Sequence, residues 1–384
     1  MEHSFNLERP VLGIVNEEFM QNFSSPFQPL PKPTGKAPFH LDIKTVITPA
    51  EYAEISQSKR MIFHTVGDVG GVKSPADQQI VADHMEMQVD KINTANNPSF
   101  FYIIGDVVYY YGSSKEYNIQ FYEPYKFYPA PVFAIAGNHD GDVDPTDTTK
   151  PTSLDAFMRL FCAKTPTIAP EAGDTARTTM TQPNVYFTLV TPVANIIGLY
   201  TNVPEGGVVK ADQQAWFVNE LKNAQKERSN KALIVTLHHP PFSMDPHHGA
   251  SAAMQKLLAD SFKQANVYPD IVLTGHVHNY QRFTQNIGKV QIPYIVAGAG
   301  GYWHLHNINT GGTTIAMPTP SPFKDVVFEK YSEDRHGFMR ITIDMNKKEF
   351  LGEYFTVPRL QESWKAAPVL FDSFTIDLKQ NKLK

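Results

Sequence analysis

Met61-Ile62-Phe63-His64-Thr65-Val66 is followed at once by Gly67-Asp68-Val69-Gly70, a short apolar run that stops at a glycine–aspartate turn. The same arrangement recurs along the chain. Phe100-Phe101-Tyr102-Ile103-Ile104 runs into Gly105-Asp106-Val107-Val108-Tyr109, and Val132 to Ala136 into Gly137-Asn138-His139-Asp140. Ala232 to Leu237 leads to His238-His239-Pro240-Pro241, and Asp270 to Thr274 leads to Gly275-His276-Val277-His278. Short apolar runs bounded by turn residues read as buried strands. Between the first two runs, Ala76 to Asn93 has helical spacing, with Ile80, Val81, His84, Met87, Val89 and Ile92 on the repeat. Strands and helix alternate, and polar residues fall at the carboxyl ends of strands, where α/β sheets place their ligands.

Working outward, Val185 to Leu189 and Asn195 to Leu199 read as a hairpin and Asp212 to Gln225 as a helix. Gln291 to Ala297, Gly337 to Met345, Phe350 to Phe355 and Phe374 to Leu378 read as further strands. Residues 1–57 are rich in turns, as in Phe27-Gln28-Pro29-Leu30-Pro31-Lys32-Pro33-Thr34-Gly35, and are too short for an independent β-sandwich. They are expected to form an extension that packs on a main domain over 58–384.

A net charge of −5 and the lack of a lysine/arginine run give no reason to expect nucleic-acid binding. Cys162 is the single cysteine, which excludes an internal disulfide and a cysteine-based metal cluster; it reads as a small apolar residue. No segment approaches the apolar length of a membrane span, and Met1 to Met20 does not read as a signal peptide. A cytoplasmic protein without membrane contact is the expectation, and the oligomeric state has no sequence signal.

A single glycine–aspartate turn is ordinarily only a turn. Five polar clusters in order, each after an apolar strand, form a joint signal for a two-metal site. Cleaving a phosphate ester with two ions requires mixed ligands and a carboxylate able to bridge ions about 3.5–4 Å apart. Asp68 and Asp106 supply carboxylates, Asn138 an amide, and His238, His276 and His278 imidazoles; the His-x-His pair can reach two different ions.

The series Asp-x-Gly, Gly-Asp-x-x-Tyr, Gly-Asn-His-Asp, His-x-Pro and Gly-His-x-His resembles the calcineurin-like metallophosphoesterases over roughly Met61 to Met345. Within them it resembles the purple acid phosphatase branch, which loses a first-cluster histidine (here Gly70) and gains a second-cluster tyrosine (here Tyr109). The resemblance implies an α/β fold with four αββα layers, two mixed sheets flanked by helices, here without room for the N-terminal sandwich of larger relatives. It implies a first ion held by Asp68, Asp106, Tyr109 and His278, and a second held by Asp106, Asn138, His238 and His276, with Asp106 bridging. The His-x-Pro spacing fits His238 or His239; His238 is favoured as nearer the strand end. A phenol ionises near pH 7 only beside a strong Lewis acid, so a phenolate beside two carboxylates points to Fe(III). The second set suits Fe(II), Zn(II) or Mn(II). Tyr109-Tyr110-Tyr111 also admits a simpler reading, a packing aromatic.

The implied activity is hydrolysis of phosphate monoesters on a small phosphorylated substrate, of acid phosphatase type, with metal-bound hydroxide as nucleophile. His139 is placed to bind a phosphate oxygen. In Met244-Asp245-Pro246-His247-His248, His248 is the candidate general acid and His247 orients substrate. The alternatives are a phosphodiesterase acting on nucleotide or phospholipid head-group diesters and a non-catalytic metal- or phosphate-binding module. The unbroken ligand set argues against the module. Tyr302, Trp303, His304 and His306 fit either a pocket wall or ordinary packing, and Asn202 either the pocket or a turn. Asp140-Gly141-Asp142-Val143-Asp144 reads as a solvated acidic loop.

Overall fold

Side chains along a strand alternate between its two faces, and here both faces of the central strands are apolar. A computed structural model describes residues 29–384 apart from 91, 93, 202–206, 309–314 and 364. In chain order its elements begin with β1 (His40–Asp42), α1 (Pro49–Ser58), β2 (Arg60–Val66), α2 (Pro75–Glu86), β3 (Phe101–Ile104), β4 (Val132–Ile135), α3 (Asn138–Gly141) and α4 (Asp155–Phe161). There follow β5 (Phe187–Val190), β6 (Ala194–Gly198), α5 (Ala211–Gln225), β7 (Ala232–Thr236), α6 (Ala252–Ala265) and β8 (Ile271–Thr274). The remainder is sheet: β9 (Tyr280–Ile287), β10 (Val290–Ala297), β11 (Thr319–Pro320), β12 (Val326–Ser332), β13 (Gly337–Asp344), β14 (Glu349–Thr356), β15 (Val369–Asp377) and β16 (Lys382–Leu383).

These strands form two mixed sheets, one in the order β1-β5-β6-β7-β8-β10-β9-β12-β11 and the other β16-β15-β14-β13-β2-β3-β4. Phe63, Tyr102, Ile104 and Phe133 of the smaller sheet pack against Ile196, Ile234, Ile271, Leu273 and Ile295 of the larger. The opposite residues face outward. Val66, Phe101 and Ile103 are covered by Val81 and Met85 of α2, and Leu233, Val235 and Val272 by residues of α5 and α6 such as Phe217, Leu221, Met254 and Phe262. The result is the expected helix–sheet–sheet–helix sandwich. β1 pairs in parallel with β5, and Leu41, Ile43, Ile47 and Ile55 enter the core between the sheets, so residues 40–58 belong to that core. Residues 1–28 lie outside the described part. No helix among the described residues is long and apolar enough to cross a membrane.

Besides shorter elements such as Pro49–Ser58, Asp155–Phe161 and Val326–Ser332, which the sequence reading does not contain, three differences bear on the fold. The helix after β2 stops at Glu86, and beyond it Met87 is largely exposed and Ile92 almost fully so, which breaks the helical repeat of apolar positions. Helix α6 was not anticipated, although Ser251 caps it by accepting the Met254 N–H at 3.2 Å and Met254, Leu257, Leu258 and Phe262 line its inner face. β9 has no apolar signature in the sequence, because its buried Gln281 and Thr284 break the pattern.

For the site, direction matters most. β2, β3 and β4 run parallel in one sheet, and β7 and β8 run parallel in the other. All five polar clusters leave the carboxyl ends of these strands. The contact that holds the sheets in this relation is apolar, and Phe63 lies in it, stacked on Phe100 with ring centroids 4.8 Å apart. Phe63→Ala is expected to cost about 3–5 kcal/mol, measured as a lower urea midpoint with unchanged slope.

Candidate metal centre

Three of the candidate ligands sit on left-handed backbone: Asp68 (φ 57°), Asp106 (φ 53°) and His276 (φ 69°). Such φ values are uncommon outside glycine, although aspartate and histidine adopt them more often than most residues, and residues of this kind cluster at functional sites. Gly105, also at positive φ (87°), passes so close to His238 that a Cβ would overlap the imidazole. At Gly70 a Cβ would meet Tyr109 Cδ2 at 2.8 Å and Gln120 Oε1 at 2.6 Å. The Tyr109 ring thus fills space that a side chain at position 70 would need.

The ligand atoms fall into two sets. In the first, the Tyr109 hydroxyl donates to Asp68 Oδ1 at 3.2 Å and lies 3.4 Å from His278 Nε2, which is 3.5 Å from Asp68 Oδ1. In the second, Asn138 Oδ1 lies 3.2 Å from His238 Nε2 and 3.1 Å from His276 Nδ1, and Asp106 Oδ2 lies 3.3 Å from His238 Nε2. Metal–ligand bonds of about 2.0–2.2 Å hold neighbouring ligand atoms roughly 3–3.6 Å apart, so both sets have the spacing of atoms sharing an ion. Carbonyl groups orient two of the imidazoles. His238 Nδ1 donates to Ile104 O at 2.8 Å and His278 Nδ1 to His304 O at 3.1 Å, which turns each Nε2 toward the site.

The electrostatics support the same reading. Asp68 and Asp106 are buried, and no lysine or arginine among the described residues forms an ion pair with either. Burial raises Asp68 well above the usual carboxylate range, and the charge of Asp106 adds to this against the pull of His238. Burial would raise Asp106 too, but His238 and His139 hold it below that range. Burial would likewise lower His238, yet the Asp106 carboxylate outweighs it and raises the imidazole to about 9. His276 and His278 are pushed well below 6.5 by burial and by neighbouring imidazoles, which leaves them neutral. Without ions, protons on Asp68 and His238 balance the charge; a cation would take their place.

The calcineurin-like phosphoesterase family model matches residues 63–280, more than half of the chain. The chain belongs to that family. It is 30% identical to purple acid phosphatase 21 of Arabidopsis thaliana over 34% of its own length and 28% of that protein. It is 27% identical to purple acid phosphatase 1 of Ipomoea batatas over 50% of its length and 39% of that protein. The chain therefore spans well under half of these curated relatives. Two solved structures share the fold at 14% identity and a TM-score of 0.51: PhoD, over 85% of this chain and 71% of PhoD, and GAP50, described as the anchor in the inner membrane complex of Plasmodium, over 82% and 87%. A calcineurin-like phosphoesterase is a phosphoester hydrolase that works with divalent metal ions, and Asp106, His238 and His276 form one group in this chain whose ligand atoms could hold such an ion.

The structure brings Asp68, Asp106, Tyr109, Asn138, His238, His276 and His278 together. His239 lies beside the second set, 2.8 Å from Thr201 Oγ1 through Nδ1 and with its ring 4.4 Å from that of His276. His139 stands over the Tyr109 ring at 4.5 Å and donates through Nδ1 to Tyr110 O at 2.8 Å. The His248 ring is 4.4 Å from His276, and His247 lies 5.0 Å from His306; both are exposed. Tyr302 and His306 both pack on His278, at 4.3 and 4.5 Å. Asn202 lies outside the described residues.

One expectation is overturned and one group was missed. Asp140 is not solvated. Its buried carboxylate accepts the N–H groups of Val107 at 3.0 Å, Val108 at 3.3 Å and Gly137 at 2.8 Å, tying the second cluster to the third. Asp245, assigned no role from sequence, accepts the His248 N–H at 2.7 Å and lies 3.4 Å from His306 Nδ1. Asp140→Asn must place an NH₂ against backbone donors, because both carboxylate oxygens are accepting. It should destabilise the protein by about 1–3 kcal/mol in urea unfolding and lower its metal content. In the metal-free protein a proton on His238 competes with the ion. Affinity at the second set should therefore rise with pH from about 7 to about 9 and level off above, as read by competition with a chromophoric chelator.

Proposed function

We propose that this chain hydrolyses phosphate monoesters of small molecules at a binuclear centre of acid phosphatase type. Asp68, Asp106, Tyr109 and His278 would hold Fe(III). Asp106, Asn138, His238 and His276 would hold Fe(II), Zn(II) or Mn(II), with Asp106 shared. The observation that carries this reading is the Tyr109 hydroxyl, buried 3.2 Å from Asp68 Oδ1 and 3.4 Å from His278 Nε2. Burial, then the carboxylates of Asp106 and Asp68, push that phenol well above its ordinary pKa of 10. Only a strongly Lewis-acidic ion would remove its proton near neutrality, which favours Fe(III). Bound at the two sets, the ions would supply the Lewis acidity that activates water and neutralises charge at phosphorus.

The surrounding side chains have the remaining tasks. His139, with Nδ1–H committed to Tyr110 O, has Nε2 left for a phosphate oxygen. It can donate there only as an imidazolium, a form that burial disfavours and a bound dianion would favour. His248 is the proposed proton donor to the leaving group. Desolvation by its surroundings, then the neighbouring His306, lower its pKa, so it would take up its proton with the dianionic substrate rather than before it. His247, at the exposed rim, would orient substrate.

The test is an absorption spectrum with metal analysis of the wild type and Tyr109→Phe, together with turnover of a nitrophenyl phosphate and its bis-ester. A broad visible band should be present and vanish in the variant, and kcat/KM for the monoester should exceed that for the diester by about tenfold or more. A colourless wild type active with zinc or manganese at both sets would overturn Fe(III). Preference for the bis-ester would overturn the monoester assignment.

A further inference from the structure

Two glutamines that belong to no motif join the tyrosine of the second cluster to the glycines of the first. Gln120 lies in the turn Asn118–Tyr122, which is π-helical: the Glu123 N–H reaches back five residues to Asn118 O at 2.9 Å. Turns of this kind occur frequently at functional sites. The Gln120 amide grips the backbone of Tyr109 on both sides, Oε1 accepting the Tyr109 N–H at 2.8 Å and Nε2 donating to Tyr109 O at 2.7 Å. The other Nε2 hydrogen goes to Glu116 Oε2 at 3.0 Å. The carbonyl oxygen of Gln120 in turn accepts Gln78 Nε2 at 2.6 Å, and Gln78 Oε1 accepts the Gly71 N–H at 3.0 Å. Gln78, Gln120 and Tyr109 are all buried, where such hydrogen bonds are stronger than in water.

The geometry points to Gln120 as a positioning residue that fixes where the Tyr109 phenol meets an ion held by Asp68 and His278. This rests on the reading of Tyr109 as a ligand. A residue that only joined two elements could bond any nearby backbone group. Gln120 instead takes both polar backbone groups of the same residue and so fixes the direction of its side chain. The chain of bonds through Gln78 ends at Gly71, in the loop that carries Asp68, while the phenol itself touches the Asp68 carboxylate. The two anionic ligands are thereby referred to one another from both ends. Gly70 passes between, where a Cβ would strike Gln120 Oε1 and the Tyr109 ring. Leucine at position 120 would keep the apolar volume and lose the grip.

The test compares wild type, Tyr109→Phe, Gln120→Leu and the milder Glu116→Ala, which removes only the outer acceptor of the Gln120 amide. Each is checked for folding by circular dichroism, then for its visible band, metal content and rate of metal loss to a chelator. Gln120→Leu should hold the ion at the tyrosine set roughly tenfold or more weakly, with the visible band weakened or displaced and the second ion retained. Glu116→Ala should move the same readouts in the same direction by less. A folded Gln120→Leu with wild-type band and wild-type metal loss overturns the inference, and if that variant does not fold, an unchanged Glu116→Ala overturns it. A wild type whose spectrum and metal retention do not respond to Tyr109→Phe overturns the ligand reading of Tyr109 and this inference with it. A response to Tyr109→Phe but not to Gln120→Leu removes Gln120 alone.

Discussion

Two carboxylates, Asp68 and Asp106, are buried where the ends of two sheets meet, without a lysine or arginine beside either among the described residues. Burying an uncompensated charge costs far more than a hydrogen bond returns, so this arrangement governs what is built around it. The imidazoles, the amide of Asn138 and the phenol of Tyr109 gather there, and in the function proposed above they would be partners for an ion. The glycine at position 105 and the left-handed turns at Asp68, Asp106 and His276 follow from the close approach of backbone and ligands. Asp140 belongs to the same scheme one layer further out, holding two of the turns together through their N–H groups.

The apolar sandwich makes this arrangement possible. Each sheet contributes parallel strands whose carboxyl ends point to the same edge, and the packing of residues such as Phe63, Tyr102, Ile234 and Leu273 between the sheets sets the distance across which the two ligand groups meet. Similarity to purple acid phosphatases is confined to a part of those proteins, while the fold likeness to PhoD and GAP50 covers most of this chain at low identity. That contrast fits a scaffold kept by layer packing, on which the chemistry depends on few side chains.

The strands and ligand clusters could be read from sequence because they obey short-range rules: an apolar run, a glycine, a polar residue. Other features depend on partners far along the chain and have no local signature. Asp140 looked like one of several acidic loop residues, yet its surroundings are set by N–H groups 33 and 32 residues earlier. Gln78 and Gln120 look like ordinary polar positions, and their pairing depends on a π-helical turn that spacing does not announce. Asp245 was in view beside His248, but its contact with His306 requires two distant loops to meet. β9 was hidden by a buried glutamine whose amide donates to Ser243 Oγ at 3.1 Å and to Asn279 Oδ1 at 3.0 Å.

The division of ligands between the two sheets has a consequence for when the site comes into being. The His276 N–H that bonds Asp68 lies 208 residues away in the chain, and His278 lies beyond it. As the polypeptide is made, the first three clusters emerge long before the last two, so a half-built chain carries carboxylates whose partners do not yet exist. Neither set of side chains is complete until β8 has joined its sheet and the sheets have closed on one another. On the proposed ligand assignment, metal capture would be a late event of folding, and a finished ligand set would mark a chain that has already folded correctly.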